Sequence, residues 1–121
     1  MFQKNSFSIP SDSSGVLLVK VIQTRKCNSL RHAKIGKFLR VVIRNTKTSL
    51  NKIKKKKSRA IVVRTSHQIS TKKGKYYHFQ DNALVLLKKR MNSRGRELYG
   101  PTSKFLKIKK LVIYYCYVNK I

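Results

Sequence analysis

The sequence predicts a mainly β fold, namely a small barrel with a projecting β-hairpin. Three features of residues 60–87 support this prediction. Residues 60–65 and 75–79 are rich in β-branched and aromatic side chains, and they flank a Lys-Lys-Gly-Lys turn at residues 72–75. A further apolar run follows at residues 83–87. Strand-like runs separated by turn residues predict two successive β-hairpins. The remaining short runs can form a barrel around this meander.

The first part of the chain predicts two strands joined by a turn. Residues 2–10 form a short strand, with Phe7 and Ile9 on one face because strand side chains alternate. The Ser-Asp-Ser-Ser-Gly segment at residues 11–15 is typical of a turn, and Asp12 is expected to act there as a turn former, not as a catalytic acid. The next strand, residues 16–23, has few polar interruptions, which predicts burial on both faces.

A basic loop at residues 24–37 leads to the most regular alternation in the chain, at residues 38–44. Leu39, Val41 and Ile43 are predicted to form its buried face. Arg40 and Arg44 project from the opposite face together with Val42, and we expect that outer face to meet phosphate groups.

The strand at residues 60–65 follows a run of cations at residues 54–59. Such a run is usually solvated or disordered, but a strand next to it fixes its position, so we favour direct contact with an RNA backbone. Further basic loops follow at residues 88–96 and 104–110. Residues 103–111 are compatible with a short C-terminal helix, whereas residues 112–118 are β-branched and aromatic and favour a strand by propensity.

The charge balance restricts the function more than any single motif does. The 121 residues include 30 Lys and Arg but only 3 Asp and Glu, a formal net charge of +27. A compact single domain over residues 1–121 with this charge repels itself, so a polyanion is expected to be part of its working state. A membrane partner is disfavoured, because the longest apolar run, residues 111–118, is far shorter than the ~20 residues that span a bilayer.

The residues that enzymes require are scarce and scattered. The acidic residues stand at positions 12, 81 and 97, and the histidines at 32, 67 and 78 lack a metal-ligand spacing. Cys27 and Cys116 have no C-x-x-C partners, and no glycine-rich phosphate loop is present. We therefore expect no enzymatic activity, no cofactor and no metal site.

The central stretch resembles the signature of the universal family of large ribosomal subunit protein fourteen. That signature has a small residue, three aliphatics, a spacer, Gly, an aromatic, Asn and an aliphatic run, which here are Ala60, Ile61, Val62, Val63, Gly74, Phe79, Asn82, Val85, Leu86 and Leu87. Residues 11–15 and 95–102 also resemble family segments. Lys37, Lys73 and Glu97 depart from the family pattern.

The resemblance implies a five-stranded β-barrel with short C-terminal helices, seated on large-subunit rRNA at the face toward the small subunit. It further implies intersubunit bridges to small-subunit rRNA, large-subunit proteins three and nineteen as neighbours, and for some members a ribosome-silencing factor. The alternative is a free-standing β-barrel that binds single-stranded nucleic acid.

Cations in the predicted loops and on the outer strand face are the candidate RNA-binding residues. Aromatic side chains could stack on bases, but Phe79 is expected in the core, and the role of Tyr76 stays open. The candidates are Arg25, Lys26, Arg31, Lys34, Arg40, Arg44, Lys54, Lys55, Lys56, Lys57, Arg59, Arg64, Lys72, Lys73, Lys75, Arg94, Arg96 and Lys104.

Localisation is predicted from two further features. The family-like pattern starts at Met1, which leaves no room for a cleavable import sequence. The wealth of Lys, Ile, Asn, Tyr and Phe suggests an AT-rich genome. We expect a mitochondrial ribosome and an organelle-encoded chain, with a plastid or bacterial ribosome as alternatives.

Overall fold

The computed structural model describes residues 2–24, 32–47, 56–90, 92–103 and Leu106. Their regular structure is almost entirely β, as the sequence predicts. The strands of these residues are β1 Phe2–Gln3, β2 Phe7–Ser8, β3 Val16–Thr24, β4 His32–Ala33, β5 Phe38–Thr46, β6 Lys57–Arg64, β7 Ile69–Ser70, β8 Tyr76–Tyr77 and β9 Ala83–Leu87.

Five of these strands form one antiparallel sheet in the order β2-β3-β5-β6-β9. The expected strand number is confirmed, but the barrel is not closed by a continuous ladder. The two edges of the sheet come together where the segment that follows β2 meets β9, at a parallel bridge between Pro10 and Leu84, and the N–H of Ser11 donates to the Leu84 carbonyl at 3.0 Å. We call this junction of the two sheet edges the seam.

Strand β5 confirms the predicted alternation. Leu39, Val41 and Ile43 are at most 1% exposed and belong to the hydrophobic core, whereas Arg40 and Arg44 are exposed on the other face. The alternation is clear because an apolar face that packs into the core must be followed, one residue on, by a side chain directed away from it.

The prediction that β3 is buried on both faces is wrong. Val19 and Val21 are fully buried, but Leu17 is 45% exposed and Lys20 is only half-buried. The register of β3 against β5 shifts at several points, and the outer face of β3 is left partly open.

Residues 2–10 form two short strands and not the predicted single strand, because Asn5 has a left-handed φ of 68°. Phe7 and Ile9 are exposed.

The central meander has a different pairing from the predicted one. Strand β6 pairs directly with β9, so residues 75–79 do not form a hairpin with residues 60–65. Strands β7 and β8 instead pair with each other as a separate two-stranded hairpin, which we call the projecting hairpin. Its turn contains Gly74 at φ 76°, and the Thr71 N–H donates to the Lys75 carbonyl at 2.8 Å. The left-handed conformation explains the glycine.

The predicted C-terminal helix and the strand-favouring residues 112–118 lie outside the described residues, except for Leu106, which is buried in the core. The extent of the single domain over residues 1–121 therefore stays a prediction. Within the part of the chain that the structure describes, no helix is long and apolar enough to cross a membrane.

Candidate nucleic-acid interface

The outer face of the five-stranded sheet carries two arginines directly opposite each other. Arg40 on β5 and Arg59 on β6 are register partners in the antiparallel ladder. Directly paired residues share a face and have Cβ atoms about 4.5–5.5 Å apart, and like charges at such positions are destabilising. Arg40 is exposed, and Arg59 is half-buried with one guanidinium N–H donating to the Lys89 carbonyl at 3.3 Å. Such a pair is suited to an anion that contacts both guanidinium groups.

A second row crosses the same face one pleat further along. Val42 on β5 pairs with Lys57 on β6 and with Lys20 on β3, and Lys20 pairs with Phe7 on β2. The Lys20 ammonium lies 5.7 Å from the centroid of the Phe7 ring, within cation–π range. We call these two rows the outer cationic face; its cations are Lys20, Arg40, Lys57 and Arg59.

Lys20 is a member of this face that the sequence analysis missed. The signal is present in the sequence, since the apolar neighbours Val19 and Val21 must both point the other way when Lys20 lies on a strand. The strand was expected to be buried on both faces, and that expectation concealed the lysine.

The projecting hairpin presents a second group of cations. Lys72, Lys73 and Lys75 are all exposed around the turn. The hairpin is anchored through Tyr77, whose ring makes an edge-to-face contact with Phe79 at 5.9 Å between centroids. The Tyr77 hydroxyl also shares a 2.7 Å hydrogen bond with the hydroxyl of Ser103. Phe79 is 7% exposed and belongs to the core, as predicted.

Arg64 has a structural role that differs from the predicted one. Its side chain is buried, and its Nε and Nη2 donate to the two carboxylate oxygens of Asp81 at 3.0 and 3.1 Å. Its Nη1 donates to the carbonyls of Tyr99, at 2.6 Å, and Pro101, at 3.2 Å. A planar guanidinium satisfied on three sides by protein acceptors is not available to phosphate. We therefore exclude Arg64 from the candidate interface.

Asp12 is likewise committed to the fold, in keeping with the turn-forming role expected for it. Its Oδ1 accepts the hydroxyl of Ser14 at 2.6 Å, and its Oδ2 accepts the N–H of Leu86 at 3.2 Å. The second contact fastens the turn to strand β9 across the seam, which the sequence did not indicate. Burial raises the pKa of the Asp12 carboxyl, and the hydrogen bonds from Ser14 and Leu86 oppose that shift.

The remaining candidate residues fall into two groups. Among the described ones, Lys34, Arg44, Lys56 and Arg96 are exposed and Arg94 is half-buried. The others lie outside the described residues: Arg25, Lys26, Arg31, Lys54, Lys55 and Lys104.

A groove of about 680 Å³ runs along the seam, lined by Phe7, Ile9, Tyr99 and the Arg64–Asp81 pair. The carboxylate in it is already occupied by the guanidinium. Among the described residues, no three His, Cys, Asp or Glu side chains come together in a way that could hold a metal ion.

The fold and these charges define a class, a small basic β protein with a cationic outer face and a cationic projecting hairpin. Residues 1–115 match the family model described as ribosomal protein L14p/L23e. The large ribosomal subunit protein uL14m of Tetrahymena pyriformis is 32% identical over 116 residues, which cover 96% of this chain and 98% of that protein. The chain belongs to this ribosomal protein family, and its role in the large ribosomal subunit is structural and not enzymatic.

Proposed function

We propose that the protein binds large-subunit rRNA through its outer cationic face and its hairpin, and thereby holds rRNA segments in a fixed geometry. The carrying observation is the direct pairing of Arg40 with Arg59 across two neighbouring strands of the antiparallel sheet. Each phosphate that a cation neutralises releases condensed counterions, which is the main source of affinity in such complexes. Contacts to phosphate and sugar favour recognition of RNA shape over sequence.

The family membership supports a finer placement. We propose that the protein lies at the face of the large subunit toward the small subunit and contributes to intersubunit bridges with small-subunit rRNA. Large-subunit proteins three and nineteen are the proposed neighbours, and a ribosome-silencing factor is a further proposed partner. The similarity to a protein named uL14m supports a mitochondrial ribosome, and we propose that the chain is organelle-encoded.

The salt dependence of rRNA binding tests the outer cationic face. For the full chain and a large-subunit rRNA transcript, the slope of log affinity against log salt counts the neutralised phosphates. We expect Arg40→Met to reduce the magnitude of the slope by about one, and Arg40→Met with Lys57→Met by about two. Lys4→Met is the matched control, because Lys4 is an exposed cation in the turn between β1 and β2, outside the outer cationic face.

The result that contradicts this interface is an equal loss of slope in the Lys4 and Arg40 variants, which would mean that net charge alone governs binding. The melting temperature of the free Arg40→Met chain should not fall, because the substitution removes one of two opposed like charges. A structural role for Arg40 would lower it.

Fractionation distinguishes the ribosomal role from a free-standing single-strand binder. We expect the native protein to sediment with large ribosomal subunits through a moderate salt wash. Recovery in the soluble fraction, together with tight binding to short oligonucleotides, would favour the alternative function.

A further inference from the structure

The projecting hairpin exposes the aromatic ring of Tyr76, and the contacts of the adjacent Tyr77 fix the direction in which this ring points. Tyr76 pairs with Ser70, and Tyr77 pairs with Ile69, in the short ladder between β7 and β8. Successive strand residues point to opposite faces. Because Tyr77 packs against Phe79 and bonds to Ser103, Tyr76 must point away from the core, and its side chain is 66% exposed.

Among the described residues, the ring of Tyr76 is left largely uncovered. The cross-strand neighbour Ser70 has a short side chain, which can cover little of a tyrosine face. The Phe7 ring differs, because the Lys20 ammonium already lies over it. Tyr99 is also exposed but lies in the groove along the seam. Among the exposed aromatic rings of the described residues, Tyr76 is therefore the one set beside a cluster of cations on a projecting element.

The charge around Tyr76 favours a nucleic acid as its partner. Lys72, Lys73 and Lys75 are exposed in the same hairpin, and residues 69–77 contain no Asp or Glu. A protein partner would have to be strongly acidic to lie against this hairpin. An RNA strand supplies both phosphates for the lysines and a flat base for the ring. Combined cations and exposed aromatic side chains are the usual means of holding unpaired nucleotides.

We propose that Tyr76 is a stacking platform for an unpaired base of the large-subunit rRNA, and that the lysines of the hairpin turn hold the flanking phosphates. This proposal rests on the proposed rRNA-binding function and adds to it a contact that reads single-stranded RNA. It gives the hairpin a role distinct from the outer cationic face, which binds the backbone alone.

The test compares Tyr76→Phe, Tyr76→Leu and, as a matched control, Tyr99→Leu in the full chain bound to a large-subunit rRNA transcript. Phe keeps a ring that stacks, whereas Leu keeps apolar bulk without one. We expect Tyr76→Leu to weaken binding by about 5- to 100-fold, while Tyr76→Phe and the Tyr99 control stay within about twofold. The salt slope should be unchanged in all three, since none removes a charge.

A 4-thiouridine-substituted transcript gives an independent readout. We expect a photo-induced nucleotide adduct on the peptide that begins at Tyr76 after cleavage at Lys75, and its loss in the Tyr76→Leu variant. If the wild-type chain binds rRNA with the expected salt slope but the Leu and Phe variants bind equally well, Tyr76 is not a stacking platform. If Tyr76→Leu binds the transcript normally but fails to enter large subunits, its partner is a protein and the proposal is wrong. Failure of the wild-type chain to bind rRNA would instead refute the proposed function.

Discussion

At the scale of single residues, most of the few carboxylates stabilise the fold through internal contacts. The sequence has three acidic residues, and two of them make internal contacts. Asp81 forms an ion pair with the Arg64 guanidinium, and Asp12 accepts a hydrogen bond that connects the turn at residues 11–15 to strand β9. Neither is placed to neutralise the outer cationic face. The positive charge of that face is therefore left for a partner to neutralise.

The buried Asp12 carboxyl predicts a pH dependence of stability. Burial raises its pKa in the folded state, so the folded chain holds a proton more readily than the unfolded chain does. The resulting contribution of Asp12 to the free energy of unfolding is fully present below the unfolded pKa of about 3.9, and it is lost as the pH rises through the raised pKa of the folded state. Asn at this position does not titrate. We expect the free energy of unfolding of the wild type, relative to Asp12→Asn, to increase as the pH falls from neutral.

The measurement is denaturant unfolding of both chains across this pH range in high potassium chloride, where charge repulsion is screened. Taking the difference between the two chains removes the titration of the other carboxyls and the histidines. A difference that is independent of pH, or that decreases toward acid, would contradict the raised pKa.

The fate of Arg64 shows why some residues of the candidate site could not be assigned from the sequence. Its alternation partner Val62 is a core residue, which is a sequence signal for an inward direction. Burial of the guanidinium, however, requires acceptors supplied by Asp81, Tyr99 and Pro101, which are 17 to 37 residues away. Spacing along a single strand does not reveal such distant partners.

At the scale of elements, two segments beside the seam, residues 11–13 and residues 96–99, are hydrogen-bonded to each other. The Ser13 hydroxyl accepts the N–H groups of Arg96 and Glu97, each at 3.0 Å, and the Tyr99 N–H donates to the Ser11 carbonyl at 2.8 Å. The Arg94 N–H donates to the carbonyl of Leu86 at 3.0 Å. The Arg94 contact, together with the bond from the Leu86 N–H to Asp12, satisfies polar groups along the free edge of β9, which would otherwise be open to pairing with another chain.

Close packing at the seam predicts that an alanine substitution lowers the free energy of unfolding more at Gly95 than at Gly74. A Cβ at Gly95 would lie 2.9 Å from the backbone nitrogens of Ser13 and Ser14, so the turn would have to move. A Cβ at Gly74 would meet nothing within 4 Å, although its φ of 76° carries a local strain. We expect Gly95→Ala to cost about 1–3 kcal/mol, through disturbed hydrogen bonds of the turn, including the bond from the buried Leu86 N–H to Asp12, and Gly74→Ala about 1 kcal/mol or less.

Hydrogen exchange separates the two effects. In Gly95→Ala, the amides of Leu86, Arg96 and Glu97 should exchange faster, because each of these seam amides donates to a side chain of the turn at residues 11–15. In Gly74→Ala, faster exchange should be confined to the hairpin, including the Thr71 amide. Equal protection of the seam amides in the two variants would show that the segments are not hydrogen-bonded to each other as described.

The elements also show what local pattern can and cannot predict. Strand β5 was predicted correctly because alternation is a property of consecutive residues. The meander was predicted with the wrong pairing because residues 75–79 are also strand-like and are closer in sequence to β6 than β9 is. Which of two strand-like runs joins the sheet depends on long-range packing, and here the run that is apolar on both faces, β9, does so.

At the scale of the whole molecule, the net charge of +27 acts on every part of the fold at once. Self-repulsion destabilises the compact state of a highly charged protein, and the same charge drives its association with a polyanion. A single cause thus weakens the free chain and strengthens the complex, and salt must act on the two in opposite directions.

We therefore predict opposite effects of potassium chloride on the free and the bound protein. Between about 0.1 M and about 1 M salt the Debye length falls from about 10 Å to about 3 Å. Screening should raise the melting temperature of the free chain, while release of the chain from an rRNA transcript should occur more readily over the same range. Chloride is preferable to sulfate, because sulfate also strengthens apolar burial and would raise the melting temperature of any protein. A melting temperature of the free chain that is unaffected by potassium chloride would show that the fold tolerates its charge without a polyanion, and the coupling between charge and rRNA inferred from the sequence would then be wrong.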